Sequence, residues 1–128
     1  MGVFRVRMRV YNPGERDRSR EIEMVVDSGA TYPVIPRTLA SELGMEPSAT
    51  RTFTLADGST IVREVAEAGF AHDGRTTACL VVLGEESDVP LLGAHALEGL
   101  GYEVDPIAKV LRSTTQYLLG AAASAVRC

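Results

Sequence analysis

The sequence has few of the residues on which several classes of protein depend. Its two cysteines, Cys79 and Cys128, cannot form a disulfide framework, and Cys79 lies in an apolar run typical of a small core residue. Its two histidines, His72 and His95, are far apart in the sequence and poorly accompanied, which argues against a zinc site. There is no tryptophan, while twelve glycines and six prolines favour short elements joined by tight turns.

Hydropathy and charge exclude further classes. No apolar run approaches the roughly 18 residues that a bilayer-spanning helix needs, so no membrane partner is expected. A net charge of −4 argues against nucleic acid as the main partner. Arg5, Arg7 and Arg9 interrupt the stretch where a signal peptide would be apolar, so the predicted location is cytoplasmic. The length of 128 residues predicts a single domain.

The first two apolar segments predict a hairpin. Residues 3–10 alternate strictly, and 20–27 alternate in the matching phase, which is the pattern of half-buried strands. The register that aligns the apolar faces puts Met8 opposite Ile22. The same register puts Arg7 opposite Glu23 and Arg9 opposite Glu21. The arginines are therefore interpreted as partners in cross-strand charge pairs, rather than as a nucleic-acid patch.

The rest of the pattern predicts an all-β domain with one or two short helices. Turn signals and apolar runs give the following predicted elements: an extended piece at 31–36, a helix at 38–43 opened by Pro36 and ended by Gly44, strands at 51–55 and 60–68 around an Asp-Gly turn, a hairpin of 69–71 with 77–83 around 72–75, a buried strand at 89–92, a helix at 94–100 ended by Gly101, and a last hairpin of 102–105 with 108–111. The tail at 113–128 has Leu118, Leu119, Ala122 and Val126 at roughly helical spacing, which fits either a short helix or a frayed terminus.

Three motifs stand out in chain order. The apolar run 24–26 leads into Asp27-Ser28-Gly29, the hairpin turn at 56–59 is tipped by glycine, and Leu91-Leu92-Gly93 leads directly into the second helix. Alone, an Asp-Ser-Gly after a strand is most often a plain turn. In this order and spacing, the three motifs resemble the retropepsin family of aspartic proteases, and the resemblance covers residues 21–110.

The resemblance implies a fold and a set of site residues. The fold would be a single-lobe closed β-barrel filling residues 1–112, with its active site at a two-fold dimer interface. Asp27 would be the catalytic aspartate, and the family needs no cofactor or metal. The remaining implied residues are Ser28, Gly29 and Ala30 in the active-site loop, Ala56, Asp57, Gly58 and Ser59 in the flap that covers substrate, and Leu91, Leu92 and Gly93 in the core motif behind the site. For Asp57, the plain role of turn former is the competing interpretation.

The number of Asp-Ser-Gly motifs in the chain bears on its oligomeric state. Aspartic proteases hydrolyse peptide bonds with two carboxylates that share a proton, and this chain has one Asp-Ser-Gly stretch. The sequence therefore predicts a homodimeric endopeptidase that contributes one Asp27 per subunit and acts on an extended peptide. The alternative is a retropepsin-like module that has lost catalysis and serves in dimerisation or peptide binding.

Overall fold

The computed structural model describes residues 3–114. These residues form strands and two short helices in the following order: β1 Arg5–Asn12, β2 Glu15–Val26, β3 Val34–Pro36, α1 Arg37–Glu42, β4 Ala49–Thr54, β5 Thr60–His72, β6 Arg75–Gly84, β7 Leu91–Leu92, α2 Ala94–Leu100, β8 Tyr102–Asp105 and β9 Val110–Ser113.

The larger sheet closes into a ring. Its strand order is β1-β2-β7-β3-β6-β5-β4, and β1 also pairs with β5. Strand β4 lies outside the ring, because among the described strands it pairs only with β5. Strands β8 and β9 form a separate two-stranded sheet. The predicted all-β fold with a closed sheet and short helices is confirmed.

The β1–β2 hairpin has the predicted register, with Met8 opposite Ile22 and Arg7 opposite Glu23. The ion pairs, however, join diagonal neighbours. Arg7 pairs with Glu21 at 3.4 Å and Arg5 with Glu23 at 4.0 Å. Strand twist brings diagonal side chains on one face within reach of each other, which accounts for the displacement by two residues.

The core fills the inside of the ring. Met8 and Val10 of β1, Met24 of β2 and Phe70 of β5 are completely buried there. Each such side chain stabilises the fold by about 1.5–3 kcal/mol relative to exposure. Leu97 and Leu100 of α2 are buried and belong to the same core cluster.

Strand β5 runs without a break where the sequence predicts two segments. It includes Gly69, which lies opposite Tyr11 of β1. A β-carbon on Gly69 would overlap the Tyr11 ring. The glycine therefore marks the close approach of β1 and β5 that closes the ring, rather than a turn.

Two other predicted strand bounds are wrong. The buried strand at 89–92 is reduced to β7, and Val89 is 50% exposed. The last strand begins at Val110 instead of residue 108, because the Asp105 carboxylate accepts hydrogen bonds from the N–H groups of Ile107 and Ala108 and widens the turn. The predicted tail from residue 115 onward lies outside the described residues.

The helix ends agree with the sequence. Gly44 follows α1 at φ +76° and Gly101 ends α2 at φ +79°, the left-handed conformation in which glycine is favoured. Pro36 is the N-cap of α1 rather than its first residue, and α1 spans Arg37–Glu42, one position earlier than the predicted 38–43. None of the described helices is long and apolar enough to cross a membrane.

Candidate active site

Asp27 follows the last residue of β2 and is fixed there by its neighbour β7. The two strands run parallel, with Val26 opposite Leu92. The Asp27 N–H donates a hydrogen bond to the Leu92 carbonyl at 3.2 Å, and the Val25 N–H donates to the Pro90 carbonyl at 2.9 Å. The sequence motifs around residues 27 and 92 are therefore adjacent in space.

The chain then passes to the other side of β7. It leaves β2 at Asp27 and returns as β3, which pairs antiparallel with β7 through Val34 and Leu91. Strand β7 thus lies between the two strands that flank the Asp27 loop, and its pairing with both of them holds the two ends of the loop. Strand β3 is held in turn by its parallel pairing with β6.

Hydrogen bonds within the loop orient the carboxylate. The Gly29 N–H donates to Asp27 Oδ1 at 2.9 Å, and the Ala30 N–H donates to the Asp27 carbonyl at 3.1 Å. Asp27 is half-buried, whereas Ser28 and Gly29 are exposed. The loop therefore presents a carboxylate at a surface rather than in a sealed core.

Helix α2 supports the loop from behind. The Ala94 N–H donates to the Ala30 carbonyl at 2.7 Å, and the His95 N–H donates to the Thr31 carbonyl at 3.1 Å. Gly93 permits this contact, because a β-carbon there would lie 2.8 Å from the backbone oxygens of Ala30 and Tyr32. The glycine of the Leu-Leu-Gly motif is thus required by close packing.

The β4–β5 hairpin projects beside this loop. Its tip includes Gly58 at φ +88°, and the Asp57 carboxylate accepts hydrogen bonds from the Ser59 hydroxyl at 2.6 Å and the Ser59 N–H at 2.9 Å. The bond from the hydroxyl and then the bond from the N–H lower the pKa of Asp57 below its ordinary value. Asp57 therefore acts as a turn former, as its plain interpretation predicts.

A cleft of about 600 Å³ separates the Asp27 loop from the hairpin. Among its lining residues Asp27 is the sole carboxylate, and most of the others are apolar. The lining residues are Asp27, Gly29, Ala30, Thr31, Tyr32, Val34, Phe53, Thr54, Leu55, Ala56, Ile61 and Val82. Of the residues predicted from sequence, the cleft unites Asp27, Gly29, Ala30 and Ala56. Ser28, the tip residues 57–59 and the motif at 91–93 do not line it.

Two aromatic residues of the cleft carried no sequence signal. Tyr32 contacts Phe53 edge-to-face, with ring centroids 6.0 Å apart, and contacts His95 in the same manner at 4.9 Å. Phe53 could be assigned to a strand from its neighbours, but its contact with Tyr32 joins residues 21 positions apart in the sequence. His95 here packs against an aromatic ring at the N-terminal end of α2.

Other catalytic chemistries find little support in the described residues. Burial, and secondarily the Glu67 carboxylate, raise the pKa of the Cys79 thiol to about 11, so it is a poor nucleophile at neutral pH. The Nδ1 of His72 lies 2.8 Å from the Tyr102 hydroxyl, away from the cleft. Between residues 3 and 114, no three His, Cys, Asp or Glu side chains are grouped to hold a metal ion.

These features define a class of protein. A closed ring of strands, an Asp-Ser-Gly loop crossing a short central strand, and a supporting glycine and helix constitute a single-lobe retropepsin-like fold. Comparison with known proteins gives the family. The family model for "gag-polyprotein putative aspartyl protease" matches residues 17–99, well over half of the chain, and the chain belongs to this family.

A solved structure agrees with the fold. The EIAV protease, in its complex with the inhibitor HBY-793, superimposes with a TM-score of 0.60 over 81% of this chain and 93% of that one, at 13% sequence identity. At this identity the likeness shows the fold alone. No curated protein sequence matches the chain.

Proposed function

We propose that the chain is an aspartic endopeptidase that acts as a homodimer, with one Asp27 carboxylate from each subunit. The observation that carries the proposal is the half-buried Asp27 carboxylate, held by the Gly29 N–H at one wall of an apolar cleft. In the reaction, an ionised carboxylate takes a proton from the attacking water. The second, protonated carboxylate polarises the scissile carbonyl and later supplies the proton for the leaving amine.

The need for a second subunit follows from the composition of the cleft. Asp27 is the sole carboxylate among the residues that line it, and one carboxylate cannot be base and acid at the same moment. A two-fold axis beside the exposed Ser28 and Gly29 would bring a second Asp27 alongside the first. The Ser28 hydroxyl would then be placed to donate or accept a hydrogen bond across the axis.

The shape and polarity of the cleft favour a peptide substrate with apolar side chains. Its walls include Tyr32, Phe53 and Leu55, and Leu55 is 43% exposed. In the similar EIAV protease, the equivalent fold was solved with a bound inhibitor. The hairpin tip at 56–59 is assigned as the flap that closes over the peptide and excludes water.

The proposal predicts a dependence on protein concentration. Since each chain holds half of a site, specific activity should fall steeply once the protein is diluted below the dissociation constant of the dimer. The cleavage rate of a peptide selected from a library is measured over a series of protein dilutions. In-line light scattering gives the molar mass of the protein at the same concentrations. A monomer that keeps full specific activity would contradict the half-site argument.

The flap assignment predicts that Gly58→Val lowers kcat/KM at least about tenfold while the melting temperature falls by only a few degrees. A β-carbon on Gly58 would meet no atom within 4 Å, so the cost to stability is the left-handed backbone alone, about 1–2 kcal/mol. The same valine must nevertheless disturb the tip where it closes over substrate.

The matched control is Gly74→Val in the β5–β6 turn. Gly74 has φ +81°, a β-carbon there would likewise meet no atom within 4 Å, and the residue does not line the cleft. Both variants should lose similar stability, measured by thermal unfolding, and only Gly58→Val should lose turnover of a neutral peptide. Equal turnover in the two variants would show that the 56–59 tip is not a flap.

A further inference from the structure

A second cavity lies apart from the Asp27 cleft, near the start of strand β2. It has a volume of about 310 Å³ and lies between the β1–β2 hairpin and the β5–β6 turn. Its lining includes three arginines, Arg9, Arg16 and Arg75, and one carboxylate, that of Asp73. It shares no lining residue with the Asp27 cleft, and Arg16 and Asp27 lie near opposite ends of strand β2.

Arg9 is left without a carboxylate by the twist of the hairpin. Because the ion pairs on this face are displaced by two residues, Arg7 takes Glu21, the residue directly across from Arg9. The same displacement would give Arg9 the uncharged Ser19. Within residues 3–114, no carboxylate lies within ion-pair distance of Arg9.

The other two guanidinium groups are positioned by neutral partners. Arg16 lies over the Tyr11 ring, 5.2 Å from its centroid. Arg75 Nη1 donates hydrogen bonds to the carbonyls of Leu100 at 2.9 Å and Gly101 at 3.1 Å. An aromatic face and two carbonyls orient these arginines, but they leave the positive charges unneutralised.

The charges at this cavity contrast with the rest of the molecule. The whole chain carries a net charge of −4, whereas the cavity brings together three arginines and one aspartate. A negatively charged partner would be attracted by this local excess of positive charge, although the chain as a whole carries a net negative charge.

We propose that Arg9, Arg16 and Arg75 form a docking site for an acidic peptide segment, a short run of aspartates or glutamates. The guanidinium groups of Arg9 and Arg16, on neighbouring strands, can each bind one carboxylate through the planar fork. Arg75 already donates from Nη1 to Leu100 and Gly101 and from Nη2 to Ser113, so it adds positive charge beside them rather than a third open fork. Single-stranded nucleic acid binds by stacking its bases on aromatic side chains. The aromatic rings that line this cavity are those of Tyr11 and His72, and Arg16 covers one face of Tyr11, so nucleic acid is disfavoured. If the proposed proteolytic function holds, the segment belongs to a protein substrate and binds at a distance from the bond that is cut.

The test measures binding without cleavage. A fluorescein-labelled hexaglutamate peptide is titrated with full-length Asp27→Asn protein at low ionic strength, and fluorescence anisotropy reports binding. Arg9→Gln and Arg16→Gln should each weaken binding about fivefold, and the double variant more. Arg7→Gln is the matched control, because it removes the same charge from the same face of β1 but from an arginine already paired with Glu21.

Binding that is weakened by Arg9→Gln and Arg16→Gln and unchanged by Arg7→Gln supports the site. Equal weakening by all three variants would show an effect of overall charge and overturn it, as would absence of binding. Tighter, Arg9-dependent binding of a labelled oligothymidylate would also overturn it, because the occupant would then be nucleic acid. Since no cleavage is scored, failure of the proposed protease function would leave this result unaffected.

Discussion

Asp27→Asn should abolish peptide cleavage, with kcat/KM reduced by a factor on the order of 10³ or more. Each homodimer would lose both carboxylates, and an amide can neither take a proton from water nor donate one to the leaving amine. The fold should persist, because asparagine has nearly the same volume and its Oδ1 can still accept the hydrogen bond from the Gly29 N–H. Steady-state kinetics on a cleaved library peptide, with thermal unfolding of the same preparations, gives both quantities.

The matched control for this change is Asp105→Asn. Asp105 accepts a hydrogen bond from the N–H two residues ahead, that of Ile107, just as Asp27 does from Gly29, but it lies outside the cleft. The Asp105→Asn variant should keep full activity, although the ion pair with Arg112 is weakened. Equal cleavage by wild type and Asp27→Asn would point to a contaminating protease. A cleavage-deficient Asp27→Asn protein that still binds the peptide would separate substrate recognition from chemistry.

The sequence predicted those parts of the fold that depend on local chemistry. The β1–β2 register followed from alternating apolar residues, because a slip by one residue would turn Met8 and Met24 away from the core. The C-terminal end of helix α2 follows from Gly101. The association of Asp27 with Leu92 came from the family resemblance, since periodicity does not say which strands are neighbours.

Long-range contacts explain what the sequence did not predict. The sequence predicts separate strands at 60–68 and 69–71, but Gly69 lies inside one strand and accommodates the Tyr11 ring of a strand nearly sixty residues earlier. The apolar run predicts that Val89 belongs to a buried strand, yet the parallel pairing with β2 begins only at Leu91. The contact between Tyr32 and Phe53 is likewise absent from the sequence pattern, because it joins two separate segments and follows no regular spacing.

Gly93→Ala should damage both the fold and the site, because its one added carbon has no room. Gly93 has φ −88° and ψ −177°, which alanine adopts freely, so the entire cost is steric. The β-carbon would lie 2.8 Å from the Ala30 and Tyr32 oxygens, and these backbone atoms are held by β3 and by the hydrogen bond from Ala94. Overpacking of this kind costs about 1–3 kcal/mol. The loop must therefore shift relative to α2, and Asp27 with it, so kcat/KM should fall further than the loss of folded protein explains.

The control for the Gly93 change is Gly14→Ala in the β1–β2 turn. A β-carbon on Gly14 would meet only the Asn12 side chain, at 3.4 Å, which is ordinary van der Waals contact. Thermal unfolding and steady-state kinetics on both variants should therefore show an unchanged melting temperature and kcat/KM for Gly14→Ala and losses in both for Gly93→Ala. A Gly93→Ala protein with wild-type melting temperature and turnover would show that the loop is not locked against α2, because the added carbon would then have been accommodated without moving Asp27.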